Sequence, residues 1–146
     1  MRTNLTSQIT LNRVSTKYYK PENAVERSVL TRFEKVPTDI YESVDEGVAH
    51  IANEIAGRIQ DRQREGKFFV IGAGTGASLR PLYAELVRKH KDEGLSFRNV
   101  VIFNLYEYYP LAPESAGSSF AQLKDLFVDQ IDIDKQNVFT IDGSIP

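Results

Sequence analysis

Two short apolar runs constrain this chain more than any other feature. Lys67–Gly72 reads KFFVIG and Asn99–Asn104 reads NVVIFN, and neither alternates polar with apolar. Runs of this kind suit strands buried on both faces, as in a parallel sheet. Parallel neighbours need a crossover, usually a helix, and the intervening sequence supplies one. Leu82, Tyr83, Leu86, Val87 and His90 share one side of it, and Gly94 ends it. A longer helix precedes the first run. Ser43 and Glu46 have capping-box spacing. Val44, Val48, Ile51, Ala52, Ile55, Ala56 and Ile59 then form one stripe, Arg62 and Arg64 suit the last turn, and Gly66 stops it. A third helix carries Phe120, Leu123, Leu126 and Phe127 inward, with Ser118 or Ser119 as cap, and Val138–Ile141 reads as a third strand.

The expected fold is therefore α/β, an open, mainly parallel, Rossmann-like sheet with right-handed crossovers and helices on both faces. Three strands make an incomplete sheet. The chain stops at Asp142–Pro146, inside the α/β alternation, so more polypeptide is expected beyond Pro146. Residues 38–146 form this domain. Residues 1–37 form a polar arm interrupted by Tyr18, Tyr19 and Pro21, with Val25, Val29, Leu30 and Phe33 at the spacing of a short helix near 22–34.

Composition removes several classes of function. A length of 146 residues fits one domain with an arm. The formal charge of −2 argues against an electrostatic grip on nucleic acid or anionic lipid. With no cysteine there are no disulfides, thiolate metal sites or Cys nucleophiles. No apolar stretch is long enough to span a bilayer, and MRTNLTSQIT is not a signal-peptide run. A cytoplasmic setting is expected.

In open α/β sheets ligands bind beyond the carboxyl ends of the strands. Two loops occupy that position. The first, Gly72-Ala-Gly-Thr-Gly-Ala-Ser78, joins a strand to a helix. Its glycines permit tight turns and close ligand approach. Helix N-terminal amides favour an anion, and Thr75 and Ser78 add hydroxyls, so a phosphate or a sugar hydroxyl would be well served. The bland alternative is a tight turn whose Thr or Ser merely caps the helix. Gly72, Gly74 and Ala77 also match G-x-G-x-x-G/A, but the acidic residue a dinucleotide needs is missing at the end of the next strand. A Walker A reading fails for want of Gly-Lys-Ser/Thr.

The second loop runs from Asn104 to Pro110 and sets Glu107 among Tyr106, Tyr108 and Tyr109. Aromatic neighbours are expected to desolvate Glu107 and raise its pKa into the range useful for proton transfer. The alternative is a packed aromatic cluster in which Glu107 makes a structural hydrogen bond. His50 and His90 lack partners at metal-ligand spacing and read as solvated or core-flanking. Asp132 and Asp134 read as turn residues. No metal site is expected.

At these loops the chain resembles the glucosamine-6-phosphate deaminase/isomerase family, whose sheet architecture is shared with ribose-5-phosphate isomerase and CoA transferases. FFVIGAGTGASLRPLYAEL is similar to the family's first substrate loop. VVIFNLYEYYPL is similar to its F-N-x-D-E-Y stretch, and SSFAQLKDLFVDQIDIDKQNVFTIDG to the helix and strand that follow. The lead PTDIYESVDEG resembles a longer, two-domain bacterial variety.

The resemblance implies action on a phosphorylated amino sugar: ring opening, aldose–ketose isomerisation and release of ammonia, with no cofactor. It implies binding roles for Thr75, Gly76, Ala77, Ser78, Asn104 and Tyr108, which Gly72 and Gly74 join by their place in the loop; it makes Glu107 an acid/base or orienting residue and sets Tyr106 at the catalytic position. Two departures matter. Leu79 stands where the family has Pro, and Tyr106 stands where it has the proton-accepting Asp. A phenol with an ordinary pKa of about 10 is a poor base at neutral pH. The family's ring-opening His and phosphate-gripping Arg and Lys lie further along than this sequence runs. The implied readings are the N-terminal portion of such an enzyme, forming a homo-oligomer or lacking its C-terminal half, or a non-catalytic sugar-phosphate-binding regulatory module. A dinucleotide-binding fragment ranks last.

Overall fold

The computed structural model describes residues 21–33, 36 and 38–145. The expected lead-in with Tyr18 and Tyr19 lies outside the described residues. A boundary between Val44 and Asp45 divides the chain into two units. In the first, helix α1 spans Ala24–Leu30, within the expected range. Asn23 caps it by accepting from the N–H groups of Val25 and Glu26 at 3.1 and 2.9 Å. Val25 and Val29 are exposed.

The second unit holds helix α2 (Val44–Arg64) from Asp45 onward, strand β1 (Phe69–Ala73), helix α3 (Arg80–Glu93), strand β2 (Val100–Asn104), helix α4 (Ser119–Leu126) and strand β3 (Val138–Phe139). The strands are parallel in the order β1-β2-β3, with Phe69 opposite Val100, Ala73 opposite Asn104, and Phe103 opposite Phe139. This is the expected open parallel α/β sheet. Gly66 and Gly94 end α2 and α3 with φ of 66° and 72°, the left-handed conformation glycine adopts without strain. In α2, Ala52 and Ile59 are buried and Ile55 and Ala56 pack beside them, whereas Val44 and Ile51, at the edge of the stripe, are exposed.

The strands depart from expectation in which faces are covered. Phe69, Ile71 and Ala73 of β1 and Val100 and Ile102 of β2 join the core, together with Tyr83 and Leu86 of α3, Leu123 of α4, and Ala52 and Ile59 of α2. On the opposite face Val70 is 58% exposed and Phe103 46%, and Leu105, Phe139 and Ile141 are exposed as well. An apolar run records that both faces are apolar; it does not record what covers each. Phe103 stacks on Phe139 on this open face, with ring centroids 4.9 Å apart.

Within the core, Tyr83 stacks on Phe127 and Phe97 meets Phe127 edge-on. His90 flanks this cluster, as expected, with Nδ1 2.6 Å from the Leu95 carbonyl. Asp132 is more than a turn residue. Its carboxylate accepts from the Phe97 N–H at 2.6 Å and the Ser96 hydroxyl at 2.8 Å, joining the segment before β2 to the segment before β3. No helix among the described residues is long and apolar enough to cross a membrane.

Candidate functional site

Because β1 and β2 are adjacent and parallel, the loops leaving them start side by side. The pairing continues one residue past β2, where the Leu105 N–H donates to the Ala73 carbonyl at 2.9 Å. Two of the loop glycines answer to this closeness rather than to a ligand. A Cβ on Gly72 would lie 2.8 Å from Leu105 Cδ2, and one on Gly74 would lie 3.2 Å from Tyr106 Cε1. Gly76 faces open space. Helix α3 anchors the loop from below: Tyr83, buried, donates its hydroxyl to the Gly74 carbonyl at 2.6 Å.

Neither Thr75 nor Ser78 caps α3. The cap position is Leu79, which offers no side-chain hydrogen bond, and Pro81 sits in the first turn. The α3 N-terminus therefore keeps its amides free of a side-chain cap, beside exposed Gly76, Ala77 and Ser78.

Thr75 instead meets Tyr106. The Tyr106 hydroxyl accepts from the Thr75 N–H at 3.0 Å, lies 2.9 Å from Thr75 Oγ1, and donates to the Thr75 carbonyl. These hydrogen bonds from the Thr75 hydroxyl and backbone hold the phenol below its ordinary pKa. Thr75 Oγ1 also lies 2.9 Å from the hydroxyl of Ser119, which is fully buried. Asn104, buried at the end of β2, donates its amide to the Tyr106 carbonyl at 2.9 Å and so shapes the second loop from within. The exposed Tyr108 ring meets Tyr106 edge-on, with centroids 6.1 Å apart.

Glu107 turns away from this cluster toward α4. Its carboxylate accepts from the Ser118 hydroxyl at 2.6 Å and from the N–H groups of Ser119, Tyr108 and Phe120 at 2.8, 2.9 and 3.0 Å. Desolvation raises its pKa, as expected from its neighbours, but the four hydrogen bonds outweigh it and bring the value down to about 2. The expected upward shift is thus reversed, because three of the four donors that stabilise the charged form come from the start of a helix. Glu107 is a fixed anion closing the α4 N-terminus.

The structure therefore brings Gly72, Gly74, Thr75, Asn104 and Tyr106 together. Gly76, Ala77, Ser78 and Tyr108 stand exposed beside them, and Glu107 is directed into α4. Ser118 and Ser119, both fully buried, were legible only as cap candidates; Ser118 is the cap, donating nothing to the helix but accepting from the Ala121 N–H at 3.1 Å. Among the described residues no three His, Cys, Asp or Glu side chains group to hold a metal.

No protein-family model matches the chain. A glucosamine-6-phosphate deaminase-like protein of Bacteroides thetaiotaomicron is 59% identical over 145 residues, covering 99% of this chain and 22% of that protein. A glucosamine-6-phosphate isomerase of Candida albicans is 35% identical over 104 residues, covering 71% of this chain and 41% of that one. Among solved structures, a monomeric glucosamine-6-phosphate deaminase of the NagB superfamily superposes with a TM-score of 0.67 at 28% identity, covering 72% of this chain and 42% of the other. The chain thus spans between about a fifth and two fifths of the length of these relatives. In sequence and in fold, over the part it spans, the chain is similar to proteins of the glucosamine-6-phosphate deaminase/isomerase family.

Proposed function

We propose that the chain is the part of a glucosamine-6-phosphate deaminase/isomerase-like protein that receives a phosphorylated amino sugar at the ends of β1 and β2. The observation that carries this reading is the start of α3. Its amides lack a side-chain cap and sit beside exposed Gly76, Ala77 and Ser78, the arrangement an anion such as a sugar phosphate accepts. Thr75, Asn104 and Tyr106 flank that point, and Tyr108 offers an exposed ring face.

Glu107 acts here as an orienting residue. Its lone pairs are committed to four donors, so it sets the path of residues 104–110 rather than shuttling a proton. Isomerisation moves a proton between adjacent carbons and needs a base near neutrality. Tyr106 is the remaining group at the expected position, and its proton is engaged by the Thr75 carbonyl. That engagement favours a second reading, a non-catalytic sugar-phosphate-binding module. The setting is the cytoplasm, with a small-molecule rather than a nucleic-acid partner, in keeping with a net charge of −2. Self-association or a C-terminal half completes the sheet.

Glucosamine-6-phosphate supplied to this chain, and to the polypeptide extended to the length of its relatives, tests both readings. Release of ammonia and fructose-6-phosphate supports the catalytic reading. Binding without turnover supports the module. Absence of both turnover and binding rejects the two together.

A further inference from the structure

The Tyr106 hydroxyl sits where three Thr75 groups converge: N–H at 3.0 Å, Oγ1 at 2.9 Å and the carbonyl. Proton bookkeeping fixes the direction of each contact. A phenol has one proton. The carbonyl can only accept, so that proton goes to the Thr75 carbonyl. Thr75 Oγ1 must then donate to Tyr106 Oη. The Thr75 hydroxyl still has lone pairs, and Ser119 supplies their donor: its single proton goes to Thr75 Oγ1 at 2.9 Å in preference to Asn104 Oδ1 at 3.5 Å. The corner therefore presents two donors and one acceptor to a single oxygen.

That pattern fits a hydroxyl group, which accepts twice and donates once. An ionised phosphate oxygen at the same point would receive both donors but would face the Thr75 carbonyl with no proton between them. The phenol ring itself meets Tyr108 edge-on, lies over Gly74 and stays 37% exposed, so solvent reaches it. We propose that the point now filled by the Tyr106 hydroxyl is a sugar-hydroxyl subsite, that Tyr106 is its built-in occupant, and that a sugar must displace Tyr106 to dock. The inference rests on the reading of this site as a sugar-phosphate site and adds which sugar group meets Thr75. The phosphate then falls to the exposed Gly76–Ser78 stretch.

Displacement makes a testable difference, since apparent affinity falls by the fraction of molecules in which the corner is open. Titration calorimetry of the full chain with glucosamine-6-phosphate and, separately, with inorganic phosphate reads it. Tyr106→Phe is expected to tighten glucosamine-6-phosphate by about tenfold and to leave inorganic phosphate within about twofold. Adding Thr75→Val is expected to cancel the gain. Amide NMR of the unaltered chain gives an independent check: the Thr75 resonance should move with glucosamine-6-phosphate and stay still with phosphate. Equal tightening of both probes would assign the corner to an anion and overturn the proposal. Binding by the unaltered chain with no gain in Tyr106→Phe would show that Tyr106 is not displaced, and overturns the proposal alone. No binding of glucosamine-6-phosphate by any form overturns the proposal together with the reading beneath it.

Discussion

The Tyr106 hydroxyl lies 2.9 Å from the Thr75 hydroxyl, across 31 residues of sequence, and ties the loop after β1 to the loop after β2. Parallel pairing of Ala73 with Asn104 brings the two loops within reach. The tie sets the shape of the strand ends before any ligand arrives. It also makes the residue at the position of the family's Asp a hydrogen-bonding partner of the protein's own backbone.

Glu107 should stabilise the fold through its charge. Its pKa lies at about 2, below the ordinary 4.5, so its contribution is present in full above about pH 4.5 and is lost as the pH falls through about 2. Glu107→Gln keeps the size but turns an NH₂ toward groups that are themselves donors. The expected cost is about 1.5–3 kcal/mol at neutral pH. Urea unfolding of both forms should show the gap closing on acidification; a gap constant with pH would contradict the assignment.

The two faces of β2 should respond very differently to truncation. Ile102 is 0% exposed in the core while Phe103, its neighbour, is 46% exposed on the other face. Ile102→Ala is expected to cost about 2–5 kcal/mol. Phe103→Ser removes a stacked contact with Phe139 and the burial of a half-covered ring, and is expected to cost less, about 1–1.5 kcal/mol. Denaturant midpoints of the two variants compare them directly. Similar costs would mean that the open face is covered in solution.

The element order was legible because period and punctuation agree along this chain. Gly66 and Gly94 end helices as their spacing predicts, and the two apolar runs became adjacent parallel strands. What could not be read was anything set by contacts between distant residues. The pKa of Glu107 depends on Ser118, Ser119 and Phe120, which approach it only once α4 is placed. Tyr106 reads as part of a packed aromatic cluster or as a poor base until the parallel register carries it to Thr75. The exposed face of the sheet was hidden for the same reason: Val70 and Phe103 look like core residues in any local window.

Asp132 should behave as a structural clasp whose loss is local. It accepts from the Phe97 N–H and the Ser96 hydroxyl. Desolvation raises its pKa, but these hydrogen bonds and nearby His90 lower it further, so the net shift is downward. Its stabilisation is present above the ordinary value of 3.8 and lost as the pH falls below it. Asp132→Ala is expected to cost about 1–3 kcal/mol. Hydrogen exchange at the Phe97 amide should accelerate by more than the global loss accounts for.

Gly143 should be intolerant of any side chain. A Cβ there would lie 2.5 Å from the Tyr108 carbonyl oxygen and 2.6 Å from that of Leu111, both backbone atoms that cannot rotate away. The Gly143 carbonyl also accepts from the Leu111 N–H at 3.1 Å, so the residue holds the far end of the Tyr106–Leu111 segment. Gly143→Ala is expected to destabilise by about 1–3 kcal/mol through displacement of that segment. Gly57, in α2, is the matching control: nothing lies within 4 Å of a Cβ there. Gly57→Ala is expected to stabilise by about 0.5–1 kcal/mol, because alanine is the better helix former. Thermal unfolding should therefore move in opposite directions for the two substitutions. A Gly143→Ala protein as stable as the parent would mean that residues 108–111 do not pack on Gly143 in solution.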